Sequence, residues 1–206
     1  MPNPIDFTLY LITDRHQLPA GRTLLATIEA ALQGGVRAVQ LREKDLSAAE
    51  LFPLARNLRD LTRRFAARLL INDRIDVALA VEADGVHLGG HSLPVAVARR
   101  LLGPEQLIGV STHHPAEITD AAFACADFFT FGPVFATPSK LAYGPPQGLE
   151  ALRLACQNSP LPVFALGGIK PCHLDDLRAA GVAGVAVVSA LIATPDPFSS
   201  ARHFCR

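Results

Sequence analysis

The segment Val39-Gln40-Leu41-Arg42-Glu43-Lys44 carries the most informative chemistry in the sequence. An apolar run changes there into alternating polar residues. The two-residue period of an extended chain places Gln40, Arg42 and Lys44 on one face. Two cations and an amide on one face suit a polyanion better than a hydrophobic core. A solvated strand end is the alternative reading, but further phosphate-type signals downstream favour anion binding.

Polar residues also follow two later apolar runs. Asn72 and Asp73 offer an amide and a carboxylate, and Asp73 beside a diphosphate would suit Mg²⁺, which takes one or two carboxylates plus substrate oxygens. Capping of the next helix is an equally good interpretation of Asp73. Farther along, Ser111 and His113 provide a hydroxyl and an imidazole that can donate to a substrate or move a proton. Ser111 could instead only cap a helix.

A long connection, residues 133–147, holds the next candidate group. Thr137, Ser139 and Lys140 place two hydroxyls and an amine within four positions of one another. Loops of this length are uncommon in compact domains and are often functional. A lysine on a mobile loop can close over a phosphate and exclude water. We therefore predict an active-site loop here, with a solvated turn as the equally good alternative.

Two glycines and a Val-Ser pair near the C-terminus suggest a second anion site. Gly167 and Gly168 follow one apolar run, and Val188 and Ser189 end the next. Barrels commonly bind phosphate with backbone N–H groups from two such neighbouring loops, and glycine lets the chain approach the anion closely. One cationic site and one backbone-based site together suit two phosphorylated reactants, or one reactant with phosphate at both ends.

The elements that must position these residues alternate strictly along the chain. Short β-branched or aromatic runs, which read as strands buried on both faces, are separated by Ala/Leu-rich amphipathic stretches. We predict strands at 7–13, 38–42, 68–72, 85–88, 107–111, 128–132, 163–167 and 184–189. We predict helices at 23–33, 48–65, 75–81, 93–102, 115–124, 148–157, 172–179 and 197–204. This pattern predicts one α/β domain over residues 1–206, a single (β/α)8 TIM barrel with its active site at the C-terminal ends of the strands.

Composition excludes several classes of protein. Lys plus Arg equals Asp plus Glu at 19 each, and Trp is absent, so nucleic-acid binding is not expected. No apolar run approaches the roughly 18 residues of a membrane span, and the N-terminus lacks signal-peptide features. The expected location is the cytoplasm, where the four cysteines would be buried free thiols.

The sequence resembles the thiamine phosphate synthase/TenI family over nearly its whole length. The resemblance rests on motifs that occur in the family's order: Tyr10-Leu11-Ile12-Thr13-Asp14, Gln40-Leu41-Arg42-Glu43-Lys44, Ile71-Asn72-Asp73-Arg74, Asp84-Gly85-Val86-His87-Leu88-Gly89, Gly109-Val110-Ser111-Thr112-His113, Gly132-Pro133-Val134-Phe135 with Thr137 and Lys140, Gly167-Gly168-Ile169, and Val188-Ser189-Ala190. It implies a (β/α)8 barrel that joins hydroxymethylpyrimidine diphosphate to thiazole phosphate with release of diphosphate, as part of thiamine biosynthesis.

The resemblance also implies a role for each candidate residue. The pyrimidine would lie against Gln40, the reacting centre near Ser111, and Mg²⁺ on Asp73. The diphosphate would be held by Arg42, Lys44, Asn72 and Lys140, and the thiazole phosphate by Thr137, Gly168, Val188 and Ser189. Ser139 and Gly167 are further substrate-binding candidates from the loops described above. Small phosphorylated molecules would be the partners. No nucleic acid or membrane is expected, and a homodimer is an option because barrels often pair.

One departure from the family pattern keeps the activity open. Synthases usually carry a second carboxylate shortly after His87, and Ser92 stands at that place here. A neutral hydroxyl is a much poorer Mg²⁺ ligand than a carboxylate, which weakens the expectation of bound metal. The TenI-like branch includes thiazole phosphate tautomerases, which also lack this acid, and His113 would be the acid/base there. A non-catalytic thiazole- or thiamine-phosphate-binding protein is the third hypothesis.

Overall fold

Eight parallel strands close into a barrel, with each strand paired to its sequence neighbours and β8 paired to β1. The computed structural model describes residues 5–119, 125–137 and 145–205. The strands are β1 Leu9–Ile12, β2 Ala38–Leu41, β3 Arg68–Asn72, β4 Gly85–Leu88, β5 Leu107–Thr112, β6 Phe128–Phe131, β7 Val163–Leu166 and β8 Gly184–Val187. The predicted (β/α)8 architecture is confirmed.

Helices cover the outside of the barrel. They are α1 Leu24–Gln33, α2 Ala48–Arg64, α3 Ile75–Ala80, α4 Val95–Leu102, α5 Gly148–Asn158, α6 Leu174–Ala179, α7 Ser189–Ile192 and α8 Pro197–Phe204, with short 3₁₀ turns at Arg15–Gln17, Pro115–Thr119 and Pro171–His173. The longest, α2, begins with a capping box in which Ser47 and Glu50 satisfy each other's backbone N–H groups. Within the described residues, no helix is long and apolar enough to span a membrane.

Several predicted boundaries need correction. The last strand ends at Val187 instead of residue 189, because the chain turns into α7 at Ser189. The helix predicted at 115–124 is a 3₁₀ turn over Pro115–Thr119, in which Glu117 N donates to His114 O, and residues 120–124 lie outside the described part. The predicted buried thiols are free but not all buried: Cys156 is half-buried, whereas Cys125, Cys172 and Cys205 are exposed.

Alternation along the strands divides the hydrophobic core into two layers. One set of side chains fills the barrel interior and includes Phe7, Tyr10, Leu70, Phe128 and Phe164. The other set faces outward and packs against the helices, as expected for strands buried on both faces. Aromatic side chains therefore fill one level of the barrel interior and form an aromatic plug.

Two aspartates lock strand starts at the N-terminal end of the barrel. Asp84, just before β4, accepts a 2.7 Å hydrogen bond from Leu69 N and forms an ion pair with Arg59 on α2. Asp127, just before β6, repeats the arrangement with Ile108 N and with Arg99 on α4. Each aspartate thus fastens two neighbouring strands to one helix, on the barrel face that serves stability.

Replacing Asp84 by asparagine should lower the free energy of unfolding by about 2 kcal/mol, because it leaves the largely buried Arg59 charge without its partner. Urea denaturation measures the loss. Glu82→Gln is the matched control: it breaks the Arg63–Glu82 pair, whose side chains are 51% and 79% exposed, and should cost no more than about 0.5 kcal/mol. Equal losses in the two variants would contradict the assigned role of Asp84.

Candidate active site at the C-terminal end of the barrel

Polar side chains occupy the interior of the barrel above the aromatic plug. Gln40 on β2, His87 on β4 and Thr130 on β6 are buried, and Asn72 and Ser111 are half-buried at the ends of β3 and β5. The register places Asn72 beside His87 and Ser111 beside Thr130. The strands therefore bring together side chains that are up to 90 positions apart in sequence.

The polar residues of the β2 segment become more exposed toward its C-terminal end. Gln40 is 1% exposed and bonded to Tyr10, Arg42 is half-buried just past the strand, and Lys44 lies exposed in the following turn. Arg42 is fixed at its backbone, where its N–H donates to the buried Thr13 hydroxyl at 2.9 Å. Within the described residues, neither Arg42 nor Lys44 belongs to an ion pair. Both cations are available to an anionic ligand.

Glu43, between those cations, points the other way and is buried. Both of its carboxylate oxygens accept from Arg15 N at 3.2 Å, and one also pairs with the Arg15 guanidinium. Asp45 binds the same guanidinium from the outside. The β1 loop is thereby tied to the β2 loop. The sequence analysis did not assign this role to Glu43. A signal was present, because the two-residue period of an extended chain places Glu43 on the opposite face from Arg42 and Lys44.

Asp73 lies at the open C-terminal end of the barrel, called the mouth from here on, in a backbone conformation that few residues adopt. Its φ is +65°, which aspartate tolerates better than most side chains, and its backbone N–H donates to His87 O at 2.9 Å. The N-cap of α3 is Arg74, without a side-chain capping bond, so the interpretation of Asp73 as a helix cap is wrong. Left-handed backbone at a non-glycine residue is typical of functional sites.

The side chains near Asp73 provide too few ligands to hold a metal ion unless a substrate supplies the others. Within the described ranges, no group of three or more His, Cys, Asp or Glu side chains could hold an ion. Ser92, at the place of the usual second carboxylate, accepts a hydrogen bond from Gly89 N at 2.7 Å and serves a local turn. One carboxylate with phosphate oxygens is nevertheless a normal Mg²⁺ environment. Asp73 would supply the one protein carboxylate of such an ion.

His87 is the centre of a buried polar network. Its Nε2 lies 3.0 Å from Ser111 Oγ and 3.3 Å from Thr130 Oγ1, and its Nδ1 lies 3.4 Å from the Tyr10 hydroxyl. Burial lowers the pKa of His87 to about 3, and the Arg42 guanidinium adds to the shift. Burial also raises the pKa of Tyr10. Both groups are therefore neutral at physiological pH.

The lowered pKa of His87 makes stability depend on pH. The unfolded state binds a proton near pH 6.5 and the folded state only near pH 3, so this stabilisation is complete above pH 6.5 and is lost as the pH falls toward 3. The slope should approach about 1.4 kcal/mol per pH unit. Urea denaturation between pH 6.5 and 5 should show a steeper loss in the native protein than in His87→Gln, and parallel slopes would contradict a neutral buried imidazole.

The residues that end β5 do not cap the next helix. Ser111 contacts His87, and the buried Thr112 hydroxyl donates to Thr130 O. His113 is exposed, and its Nδ1 lies 2.6 Å from Gly132 O. A carbonyl oxygen only accepts, so Nδ1 carries a proton, and in the neutral imidazole the lone pair is therefore on Nε2. His113 is thus held beside the start of the β6 loop with one nitrogen able to accept a proton.

The loops after β6 and β7 are in close contact. Gly167 and Gly168 have φ values of +99° and +64°, and Phe135 N donates to Gly167 O at 3.1 Å. A Cβ on Gly168 would lie 2.6 Å from Ala136 O. Phe135 also stacks on His173, with the ring centroids 3.9 Å apart. Glycine is required here because the two backbones touch.

The structure describes some of the remaining predicted site residues and not others. Val188 is half-buried and Ser189 exposed where β8 turns into α7, on the same end of the barrel as Gly168. Thr137 is half-buried on the β6 loop. Ser139 and Lys140, with most of the predicted loop 133–147, lie outside the described residues. Their roles stay predictions.

A (β/α)8 barrel defines a class of enzymes that handle phosphorylated small molecules when its C-terminal end carries cations without a described ion pair, an exposed carboxylate and glycine-containing loops. Comparison with known proteins is consistent with that class. The thiamine monophosphate synthase family model matches residues 9–191. The chain belongs to this family.

Individual relatives cover almost the whole chain. A protein from Geobacter sulfurreducens is 60% identical over 198 residues, which are 96% of this chain and 92% of the relative. The thiamine-phosphate synthase of Chloroflexus aurantiacus is 46% identical over 199 residues, 97% of this chain and 91% of the relative. The solved structure of a thiamine phosphate pyrophosphorylase from Pyrococcus furiosus superimposes with a TM-score of 0.86 at 35% identity, covering 97% of this chain and 94% of that one.

Proposed function

We propose that this protein is a thiamine-phosphate synthase, a transferase of thiamine biosynthesis that joins hydroxymethylpyrimidine diphosphate to thiazole phosphate and releases diphosphate. The observation that carries the proposal is the placement of Arg42, Asn72, Asp73 and Ser111 around one barrel mouth, opposite the loops of Gly168 and Ser189. Relatives named for this activity support the same conclusion.

Each half of the site suits one reactant. Arg42, Lys44 and Asn72 would bind the diphosphate oxygens, because charge-assisted hydrogen bonds to phosphate are strong and Arg42 has no described carboxylate to compete. Gln40, deeper in the barrel, would contact the pyrimidine. Backbone N–H groups near Gly168 and Ser189 would bind the thiazole phosphate. Lys140 and Ser139, outside the described residues, would close over the site with Thr137.

The reaction needs positioning and charge neutralisation more than acid/base chemistry. The C–O bond between the pyrimidine methylene and the diphosphate breaks, and its electron pair leaves with the diphosphate. The electron-rich aminopyrimidine stabilises the resulting cation, and the thiazole nitrogen lone pair then forms the new C–N bond. Arg42 and Lys44 would stabilise the leaving charge, and the packed floor below Gln40 would exclude water from the cation.

Asp73 would hold Mg²⁺ together with the diphosphate oxygens. The ion supplies further neutralisation of the leaving group. Asp73 has an exposed carboxylate on a left-handed backbone, and Ser92 adds no charge. We therefore expect metal binding to depend strongly on the diphosphate. Residence in the cytoplasm and assembly into a homodimer are part of the proposal only as predictions from the sequence.

The test is to incubate the protein with both phosphorylated substrates and Mg²⁺ and to follow diphosphate release. We expect release with one thiamine phosphate per diphosphate, and none when either substrate is omitted. No release above background would eliminate the synthase. Ser92→Asp is an informative variant: a faster rate at low Mg²⁺ would indicate that the missing carboxylate limits the reaction.

A thiazole phosphate tautomerase is the second candidate, favoured by the position of His113, whose Nδ1 is bonded to Gly132 O so that Nε2 of the neutral ring can accept a proton. That nitrogen could take a proton from the thiazole precursor and return it at another carbon. His113→Asn should abolish tautomerisation and barely affect a synthase. If neither reaction occurs and thiazole phosphate still binds, the protein is a non-catalytic binder.

A further inference from the structure

The polar network beneath the mouth has a defined hydrogen-bond direction. Gln40 Nε2 donates to the Tyr10 hydroxyl oxygen at 3.0 Å. Tyr10 then has its own proton to donate, and within the described residues its other polar partner is His87 Nδ1, at 3.4 Å. An imidazole nitrogen that accepts carries no proton, so the proton of neutral His87 is on Nε2. The chain of donors therefore runs from Gln40 through Tyr10 to His87.

The direction continues to the mouth. His87 Nε2–H points to two hydroxyl oxygens, Ser111 at 3.0 Å and Thr130 at 3.3 Å. When Ser111 Oγ accepts this proton, its own O–H is left to donate upward, where Ser111 is half-exposed. At the other end, Gln40 uses one N–H of its amide in the bond to Tyr10, and with the amide in that orientation its carbonyl oxygen remains as an acceptor. The buried network thus leaves the Ser111 hydroxyl as a donor and the Gln40 carbonyl oxygen as an acceptor.

The barrel interior is shaped to hold this imidazole. Gly109 lies beside His87 in the register, and a Cβ on it would lie 2.5 Å from His87 Nδ1 and 2.4 Å from Phe128 Cζ. Tyr10 and Phe128 pack on the imidazole ring, with ring centroids 5.7 and 5.8 Å away. The imidazole is therefore enclosed by Gly109, Tyr10 and Phe128, and its tautomer sets the direction of the whole network.

We propose that His87 and Tyr10 are positioning residues: the Nε2–H tautomer of His87, held by Tyr10, makes Ser111 a hydrogen-bond donor and leaves the Gln40 carbonyl an acceptor toward the substrate. The opposite tautomer would reverse both groups, so that Ser111 would present lone pairs and Gln40 its N–H. A neutral aromatic base with one ring nitrogen and one exocyclic amine matches the first pattern and clashes with the second. The catalytic consequence rests on the proposed function.

The first arm of the test is spectroscopic and needs no activity. In ¹⁵N-histidine-labelled protein at pH 7, the two ring nitrogens of His87 should show the shifts of a pure Nε2–H tautomer. Tyr10→Phe removes one hydroxyl, keeps the ring, and should give a mixture of tautomers. An Nδ1–H tautomer in the native protein, or an unchanged spectrum in Tyr10→Phe, would overturn the proposal whether or not the protein is a synthase.

The second arm is kinetic. Tyr10→Phe should lower kcat about tenfold, as removal of one orienting hydrogen bond does, with KM for thiazole phosphate unchanged. His87→Gln, whose amide nitrogen can replace Nε2–H, should keep more activity than His87→Leu. Phe131→Leu is the control for core damage, since Phe131 is buried in the outward layer, and it should keep native kcat. Native kcat in folded Tyr10→Phe would overturn the proposed role. Absent diphosphate release by the native protein would instead contradict the synthase and leave the first arm to decide.

Discussion

Replacing Arg42 by alanine is expected to lower kcat/KM for diphosphate release about 10³-fold. Arg42 is the half-buried cation of the mouth, its backbone is anchored on Thr13, and within the described residues no carboxylate neutralises it. A preorganised charge next to a leaving diphosphate acts most strongly as that charge develops, and losing such a group costs several kcal/mol of transition-state stabilisation.

Two matched variants make the Arg42 prediction specific. Arg42→Lys keeps the charge but not the forked donors, and should fall between the native protein and alanine. Arg100→Ala removes an exposed arginine from α4, away from the mouth, and should retain native kinetics. Steady-state assays with varied pyrimidine diphosphate measure all three. An Arg42→Ala enzyme within threefold of native would place the diphosphate elsewhere.

Gly168→Ala is expected to lower kcat/KM for thiazole phosphate about 100-fold. The added Cβ would lie 2.6 Å from Ala136 O and 2.9 Å from Phe135 Cβ, so the β6 loop must move away from the β7 loop. The left-handed φ of +64° adds about 1–2 kcal/mol of local strain. Because both loops border the proposed phosphate site, the displacement should weaken binding of that substrate.

Gly103→Ala separates backbone strain from loop displacement. Gly103 also has a left-handed φ, +78°, but a Cβ there would meet nothing within 4 Å. This variant should lose stability from backbone strain, because φ +78° with ψ −174° is a region that essentially only glycine adopts, and it should keep its KM for thiazole phosphate. If both variants show the same kinetics, the contact between the β6 and β7 loops has no part in binding.

The positions of the strands could be predicted well because each is a short apolar run buried on both faces. That pattern also placed Gln40, Asn72 and Ser111 at strand ends, since the side-chain period of two continues into the first polar residues. Exact ends were less predictable. Whether the chain leaves β8 at Val187 or Ser189 depends on where α7 begins, and neighbouring loops decide that.

The network around His87 could not be predicted from the sequence alone. Its partners Tyr10, Ser111 and Thr130 come from three other strands, and only closure of the barrel brings them within hydrogen-bond distance. The pairing of Asp84 with Leu69 N had a weak local signal. An acidic residue directly precedes an apolar strand twice, at Asp84 and again at Asp127.

Asp84 and Asp127 affect how readily the N-terminal end of the barrel opens locally. The amide protons of Leu69 and Ile108 are bonded to carboxylates that are themselves held by arginines on α2 and α4. Fraying that carries Asp84 or Asp127 away must also break an ion pair to a helix, which makes it less favourable. Their exchange with deuterated solvent should therefore follow global unfolding, whereas amides of the substrate loops at the opposite end exchange through local openings.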